Sequence, residues 1–129
     1  IGKAILNFDK NLIYVCLPVT QMEKAGRDLN MRIACEIFAD RNYEDNGNLV
    51  SRELPNALIT DPDEALKNII LMLKEKSIIS YSGKKIPCSI DTICLHGDGK
   101  TALEMANRLK TGLLDKNIKL KPLTEIVKS

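Results

Sequence analysis

The sequence predicts an α/β fold built on a parallel sheet, and three observations carry that expectation. The apolar content is aliphatic: 44% of the chain is hydrophobic but only 4% aromatic, without tryptophan, as in strands buried on both faces. Short β-rich runs alternate with stretches of helical spacing, the pattern of βα units joined by right-handed crossovers. The length of 129 residues and the 28% charged content suit one ordinary globular domain, expected over residues 1–129.

The elements follow in order. Residues 1–8 read as the tail of a helix, and Asp9-Lys10-Asn11 as a turn. Leu12-Ile13-Tyr14-Val15-Cys16-Leu17 is a buried strand closed by Pro18. Thr20, with Glu23 three positions on, forms a capping box for a helix ending near Asp28. Leu29-Asn30 turns the chain into a second strand over 33–38. Residues 40–59 then lose periodicity and fill with Asn, Asp, Gly, Ser and Pro; a loop of that length after a strand is expected to be a lid or binding loop.

Asp61 caps a second helix with Pro62 in its first turn and Leu66, Ile69, Ile70 and Leu73 on its buried face. A small hairpin over 77–80 and 84–88 turns at Tyr81-Ser82-Gly83. A strand over 92–95 precedes a third helix over about 100–114, with Leu103, Ala106, Leu109 and Leu113 expected inward, and 118–120 is a last short strand. Three or four strands with helices covering part of them make a poor free-standing domain. The chain reads as half of something larger, and because it opens on Ile1 its start is expected upstream.

Charge and thiols narrow the function class. Nineteen basic and seventeen acidic residues are interspersed without a block of one sign, so nucleic acid is not an expected partner. No apolar run reaches the ~18 residues a membrane span needs. Cys16, Cys35, Cys88 and Cys94 sit in or beside strand-like runs without a CxxC pair, the usage of reduced thiols in a cytoplasmic protein.

Chemistry concentrates where strands end, because in parallel α/β architectures ligands sit outside the carboxyl ends of the strands. Ile90-Asp91-Thr92-Ile93-Cys94-Leu95 runs straight into His96-Gly97-Asp98, and His96 is the one histidine of the chain. His96 suits a general acid or base, a metal ligand, or a core histidine bonded to a carbonyl. Asp98 suits orienting that ring, binding a ligand, or capping the next helix, for which Thr101 with Glu104 is a competing box. Gly97-Asp98-Gly99-Lys100-Thr101 falls short of a P-loop, since Cys94 stands where a glycine is required.

The second segment of this build is Arg32-Ile33-Ala34-Cys35-Glu36-Ile37-Phe38-Ala39-Asp40-Arg41. Alternation puts Glu36 on one face with Ala34, Phe38 and Asp40. A carboxylate there must neutralise or find a cation, with Arg41, Arg52 and His96 as candidates. It either anchors a loop arginine or is a site carboxylate tuned by burial. Asp40, Arg41, Tyr43 and Arg52 belong to a solvated loop, or they grip a substrate carboxylate when the loop closes.

These segments resemble the LamB/YcsF family. Glu36-Ile37-Phe38-Ala39-Asp40-Arg41-Asn42-Tyr43 is similar to its E-V-F-A-D-R-x-Y run, and Gly47-Asn48-Leu49-Val50-Ser51-Arg52 to G-x-L-V-x-R. Leu58-Ile59-Thr60-Asp61 and Asp91-Thr92-Ile93-Cys94-Leu95-His96-Gly97-Asp98 resemble A-V-I-x-D and D-(T/S)-I-C-V-H-G-D, in the same order and at similar spacing. The family's amino-terminal half, with its D-L-N-x-D-x-G-E run, has no counterpart here. Gly99 and Lys100 also depart from its usual residue-then-proline.

The resemblance implies the carboxyl-terminal half of a distorted β/α barrel of the glycoside hydrolase/deacetylase type, a partial barrel of parallel strands with a small hairpin. It implies ATP-driven opening of the lactam ring of 5-oxoproline to glutamate, with magnesium accompanying ATP and with partner subunits B and C of a 5-oxoprolinase. Glu36, His96 and Asp98 are then expected as catalytic residues lining one cleft, and Asp40, Arg41, Tyr43 and Arg52 as substrate-binding residues. The isolated chain is expected to be inactive without the missing amino-terminal half. Two other readings stay open: a metal-dependent deacetylase-like hydrolase using His96 and Asp98 as ligands, and a non-catalytic module that forms a homodimer through its open edge.

Overall fold

In the computed structural model, which describes residues 1–127, the elements run α1 (Gly2–Phe8), β1 (Ile13–Cys16), α2 (Gln21–Asp28), β2 (Arg32–Phe38), α3 (Pro62–Glu75), β3 (Ser77–Ile79), β4 (Lys85–Pro87), β5 (Thr92–Cys94), α4 (Ala102–Asp115) and α5 (Leu123–Ile126). Residues 128 and 129 of the expected domain lie outside the described residues. The main sheet has the order β1-β2-β5 and both pairings are parallel, with Cys16 opposite Cys35 and Phe38 opposite Cys94. The expected hairpin is present as the antiparallel pair β3-β4. The sheet does not close.

Local signals explain most boundaries. The Thr20 hydroxyl accepts from the Glu23 N–H at 3.4 Å, while Glu23 reaches back to the Val19 N–H at 2.7 Å, so the box closes one residue early. Asp61 accepts from the Asp63 and Glu64 N–H groups at 2.8 and 3.4 Å, and Pro62 occupies the first turn, where its missing N–H costs nothing. Two expectations fail. Residues 118–120 pair with no strand among the described residues, and the last element is instead the short helix α5. On α4 the buried stripe is Met105, Leu109, Gly112 and Leu113, whereas Ala106 is exposed and Leu103 is 77% exposed. The phase is set by α3: an added Cβ on Gly112 would collide with the Leu66 side chain, so the two helices approach along this line and turn Leu103 outward.

Alternation divides the sheet into two unlike faces. Ile37, Ala39, Ile93 and Leu95 join α3 and α4 in the main core, and Tyr14, Cys16 and Ile33 join α1 and Met31 in a smaller one. The opposite face carries Val15, Ala34, Glu36, Phe38 and Cys94. No helix among the described residues packs over it, and Val15 is 40% exposed. This uncovered face leads up to the strand ends where the candidate site lies.

Candidate active site

Asp40 lies two residues beyond Phe38, and His96 two beyond Cys94, so the β2-β5 register brings them together past the ends of both strands. The Asp40 carboxylate meets the His96 ring Nδ1 at 2.8 Å and accepts from the His96 backbone N–H at 3.3 Å. A carboxylate only accepts, so Nδ1 carries the hydrogen and the neutral ring keeps its lone pair on Nε2. Phe38 stacks on the imidazole with ring centroids 5.4 Å apart and planes 19° from parallel. The ring is thus held in its plane by one neighbour and across it by the other. The Arg52 guanidinium stands 3.4 Å from Nε2 and donates to it.

Asp40, Arg52, Thr60, His96, Asp98 and Thr101 are among the walls of a cleft of about 210 Å³ at these strand ends. Orienting the ring, one role expected of Asp98, falls to Asp40. Asp98 is exposed at the cleft and has no hydrogen-bond partner among the described residues. The competing capping box also fails to form: Thr101 makes no cap bond, and its hydroxyl donates to the Thr60 carbonyl at 3.4 Å, tying the start of α4 to the chain just before α3.

Two expected substrate-binding residues turn away from the cleft. Arg41 is buried, and its guanidinium donates to the Val50 carbonyl at 2.7 Å and the Ala57 carbonyl at 3.4 Å. Tyr43 is 1% exposed, and its hydroxyl accepts from the Phe38 N–H at 2.8 Å; burial pushes the phenol well above its ordinary pKa. The physical reason is the loop itself. Residues 40–59 double back as a stitched ribbon, with backbone bonds from Ile59 to Asp40, Asn42 to Ala57, Val50 to Asn42 and Glu44 to Asn48. A chain that folds on itself without a sheet needs interior side chains to meet its carbonyls, and Arg41 does so, while Tyr43 ties the loop back to the end of β2. The segment is a fixed shelf rather than an open lid, and of the four expected substrate-binding residues Asp40 and Arg52 reach the cleft, Asp40 engaged with His96.

Glu36 occupies the same sheet face as Phe38 and Asp40, below the Asp40–His96 pair with the Phe38–Cys94 level between them. It does not line the cleft, which corrects the expectation that Glu36, His96 and Asp98 share one wall. Burial raises its carboxyl pKa, with the neighbouring Cys94 thiol and His96 acting in the opposite direction. The expected arginine partners are employed elsewhere, Arg41 within the loop and Arg52 on His96. Phe38 and Cys94 are site neighbours that the sequence reading did not single out. The signal was available: both lie on the alternation that selects Glu36, Asp40 and His96.

Comparison with known proteins identifies the family. The model of the LamB/YcsF family matches residues 1–128. The chain belongs to the LamB/YcsF family. It is 40% identical over 126 residues to the 5-oxoprolinase A-subunit of Clostridium beijerinckii, covering 98% of this chain and 49% of that protein. It is 42% identical over 123 residues to the 5-oxoprolinase A-subunit of Staphylococcus epidermidis, covering 95% and 49%. Its fold matches the crystal structure of a lactam utilization protein from Thermus thermophilus with a TM-score of 0.83 at 30% identity, over 94% of this chain and 48% of that one.

The chain therefore spans about half the length of the curated relatives it matches. The register of this LamB/YcsF chain pairs the Glu36–Arg41 run with the His96–Asp98 run: they lie at the ends of two adjacent parallel strands. Among the described residues no helix is long and apolar enough to cross a membrane.

Proposed function

We propose that this chain acts within the A-subunit of an ATP-dependent 5-oxoprolinase, opening the lactam of 5-oxoproline to glutamate in the cytoplasm together with subunits B and C. The observation that carries the reading is the Asp40–His96 pair, a base whose tautomer leaves the lone pair on Nε2 at the strand ends of a chain related to proteins of that name. A lactam is a resonance-stabilised amide, and opening it requires an activated carbonyl and a delivered water. His96 Nε2 takes the proton from that water, with Asp40 stabilising the imidazolium that forms. Arg52 holds the substrate carboxylate. Glu36, whose carboxyl pKa burial raises, lies outside this cleft on the same sheet face, and in this reading it is the acid for the departing nitrogen in the larger site that the amino-terminal half completes over that face. ATP, with magnesium, supplies activation of the carbonyl oxygen.

A cleft of about 210 Å³ falls below the ~300–1,000 Å³ of small-molecule sites, so this chain provides part of a site. In this reading the amino-terminal half of the barrel covers the open sheet face and completes the room for substrate and nucleotide. Arg52 is this chain's contribution to the charged ligands. The test is an assay of glutamate release and ADP formation by the complete enzyme. His96→Ala is expected to abolish both, and turnover at the parent rate would remove the proposal.

A further inference from the structure

The contact between Arg52 and His96 has a chemical consequence for an enzyme that uses that imidazole as a base. With Asp40 on Nδ1, the one lone pair of the neutral ring is on Nε2, and Arg52 Nη2 donates into it at 3.4 Å. The base is therefore capped. The cap is the most labile member of the group. Arg52 is exposed, it makes no ion pair among the described residues, and it sits on the shelf that Arg41 fixes through the Val50 and Ala57 carbonyls on either side of it. Asp40, by contrast, is 15% exposed and bonds His96 at two atoms. The other titratable groups facing the ring are Glu36 and Cys94 from the sheet face and Asp98 across the cleft, and none of these bonds Nε2.

We infer that Arg52 is a substrate-operated gate on the His96 base: a ligand carboxylate draws the guanidinium off Nε2 by offering it a charge-assisted, bidentate partner, and so frees the lone pair only when an anionic substrate is present. A guanidinium bonds a carboxylate in fork geometry far better than it bonds a single neutral nitrogen. The exchange therefore runs downhill once the ligand enters. The gate selects substrates bearing a carboxylate beside the scissile amide and keeps the base idle otherwise. This rests on the reading of His96 as the base, and it names the feature of the substrate that the site recognises.

The chain has one histidine, so ¹⁵N-histidine incorporated into this chain reports a single imidazole even beside unlabelled partner subunits. Spectra are taken at about pH 8.5, above the ~6.5 of an ordinary imidazole. Arg52→Met is expected to move the Nε2 resonance downfield, toward an unbonded pyridine-type nitrogen, while Nδ1 stays where Asp40 holds it. Saturating cyclopentanecarboxylate or 5-oxoproline is expected to reproduce that shift in the parent, and 2-pyrrolidinone, which lacks the carboxylate, is not. An unmoved Nε2 in Arg52→Met overturns the gate, as does an unmoved Nε2 with both carboxylates. A shift with cyclopentanecarboxylate but not with 5-oxoproline supports the gate and removes the lactam reading instead, so the two fail separately.

Discussion

Asp40 holds His96 at two points, accepting from the ring at 2.8 Å and from the backbone N–H of the same residue at 3.3 Å. One contact fixes the tautomer, and the other fixes where β5 stops and the following loop begins. A single carboxylate thus sets both the orientation of the base and the local path of the chain that carries it.

Asp40→Asn separates these roles. The amide side chain keeps an oxygen for the backbone N–H but can present an N–H to Nδ1, which favours the opposite tautomer and puts the hydrogen on Nε2. Loss of an orienting carboxylate of this kind costs on the order of 10²–10⁴-fold in rate. The complete enzyme carrying Asp40→Asn should lose glutamate release by that factor with its thermal midpoint little changed. Activity within twofold of the parent would show that the tautomer does not matter here.

Arg41 and Tyr43 should report on stability. Arg41→Met leaves the Val50 and Ala57 carbonyls without their donor, a loss of about 2–3 kcal/mol for a buried charged hydrogen-bond group. Tyr43→Phe strands the Phe38 N–H at a cost of about 1–2 kcal/mol. Urea unfolding measures both. If either variant instead raised KM with unchanged unfolding, that side chain would belong in the binding site after all.

That reversal of roles shows where the sequence stops being legible. Parallel pairing of β2 with β5 could be anticipated, because aliphatic runs separated by a helix have few other ways to bury both faces. So could the face shared by Glu36, Phe38 and Asp40, which follows from alternation alone. The inside of the 40–59 loop could not. Arg41 and Tyr43 look like exposed loop residues because periodicity is absent there, and only the doubling back of the backbone brings Arg41 to the Val50 and Ala57 carbonyls and Tyr43 to the Phe38 N–H at the end of β2. The phase of α4 was hidden for a similar reason: Leu103 and Leu109 are equally apolar, and the contact made possible by Gly112 decides between them.

Gly112→Ala tests that contact. A methyl at this position meets the Leu66 side chain well inside van der Waals distance, and α3 must shift away from α4 to admit it. Overpacking of this kind costs about 1–3 kcal/mol, more than the helix propensity gained by replacing glycine, about 1 kcal/mol. Net destabilisation is expected in chemical denaturation, with recovery in Gly112→Ala combined with Leu66→Ala relative to Leu66→Ala alone. Simple stabilisation by Gly112→Ala would mean that the helices are not this close.

Glu36 gives the pH dependence. Its folded-state pKa is raised, chiefly by burial, above the ordinary ~4.3 of a free glutamate. Between those two values the native state binds more protons than the unfolded chain, so stability falls as pH rises through that window and stays lower above it. The burial that raises this pKa is therefore a standing cost at neutral pH. Glu36→Gln keeps the shape and a hydrogen-bonding group beside Cys94 while removing the ionisation. The variant should melt higher than the parent at pH 7, the gain should shrink toward zero below pH ~4, and activity should fall in the complete enzyme. A constant difference between variant and parent across that range would show that Glu36 ionises in the fold as freely as it does in water, and its place as the acid of the site would be lost.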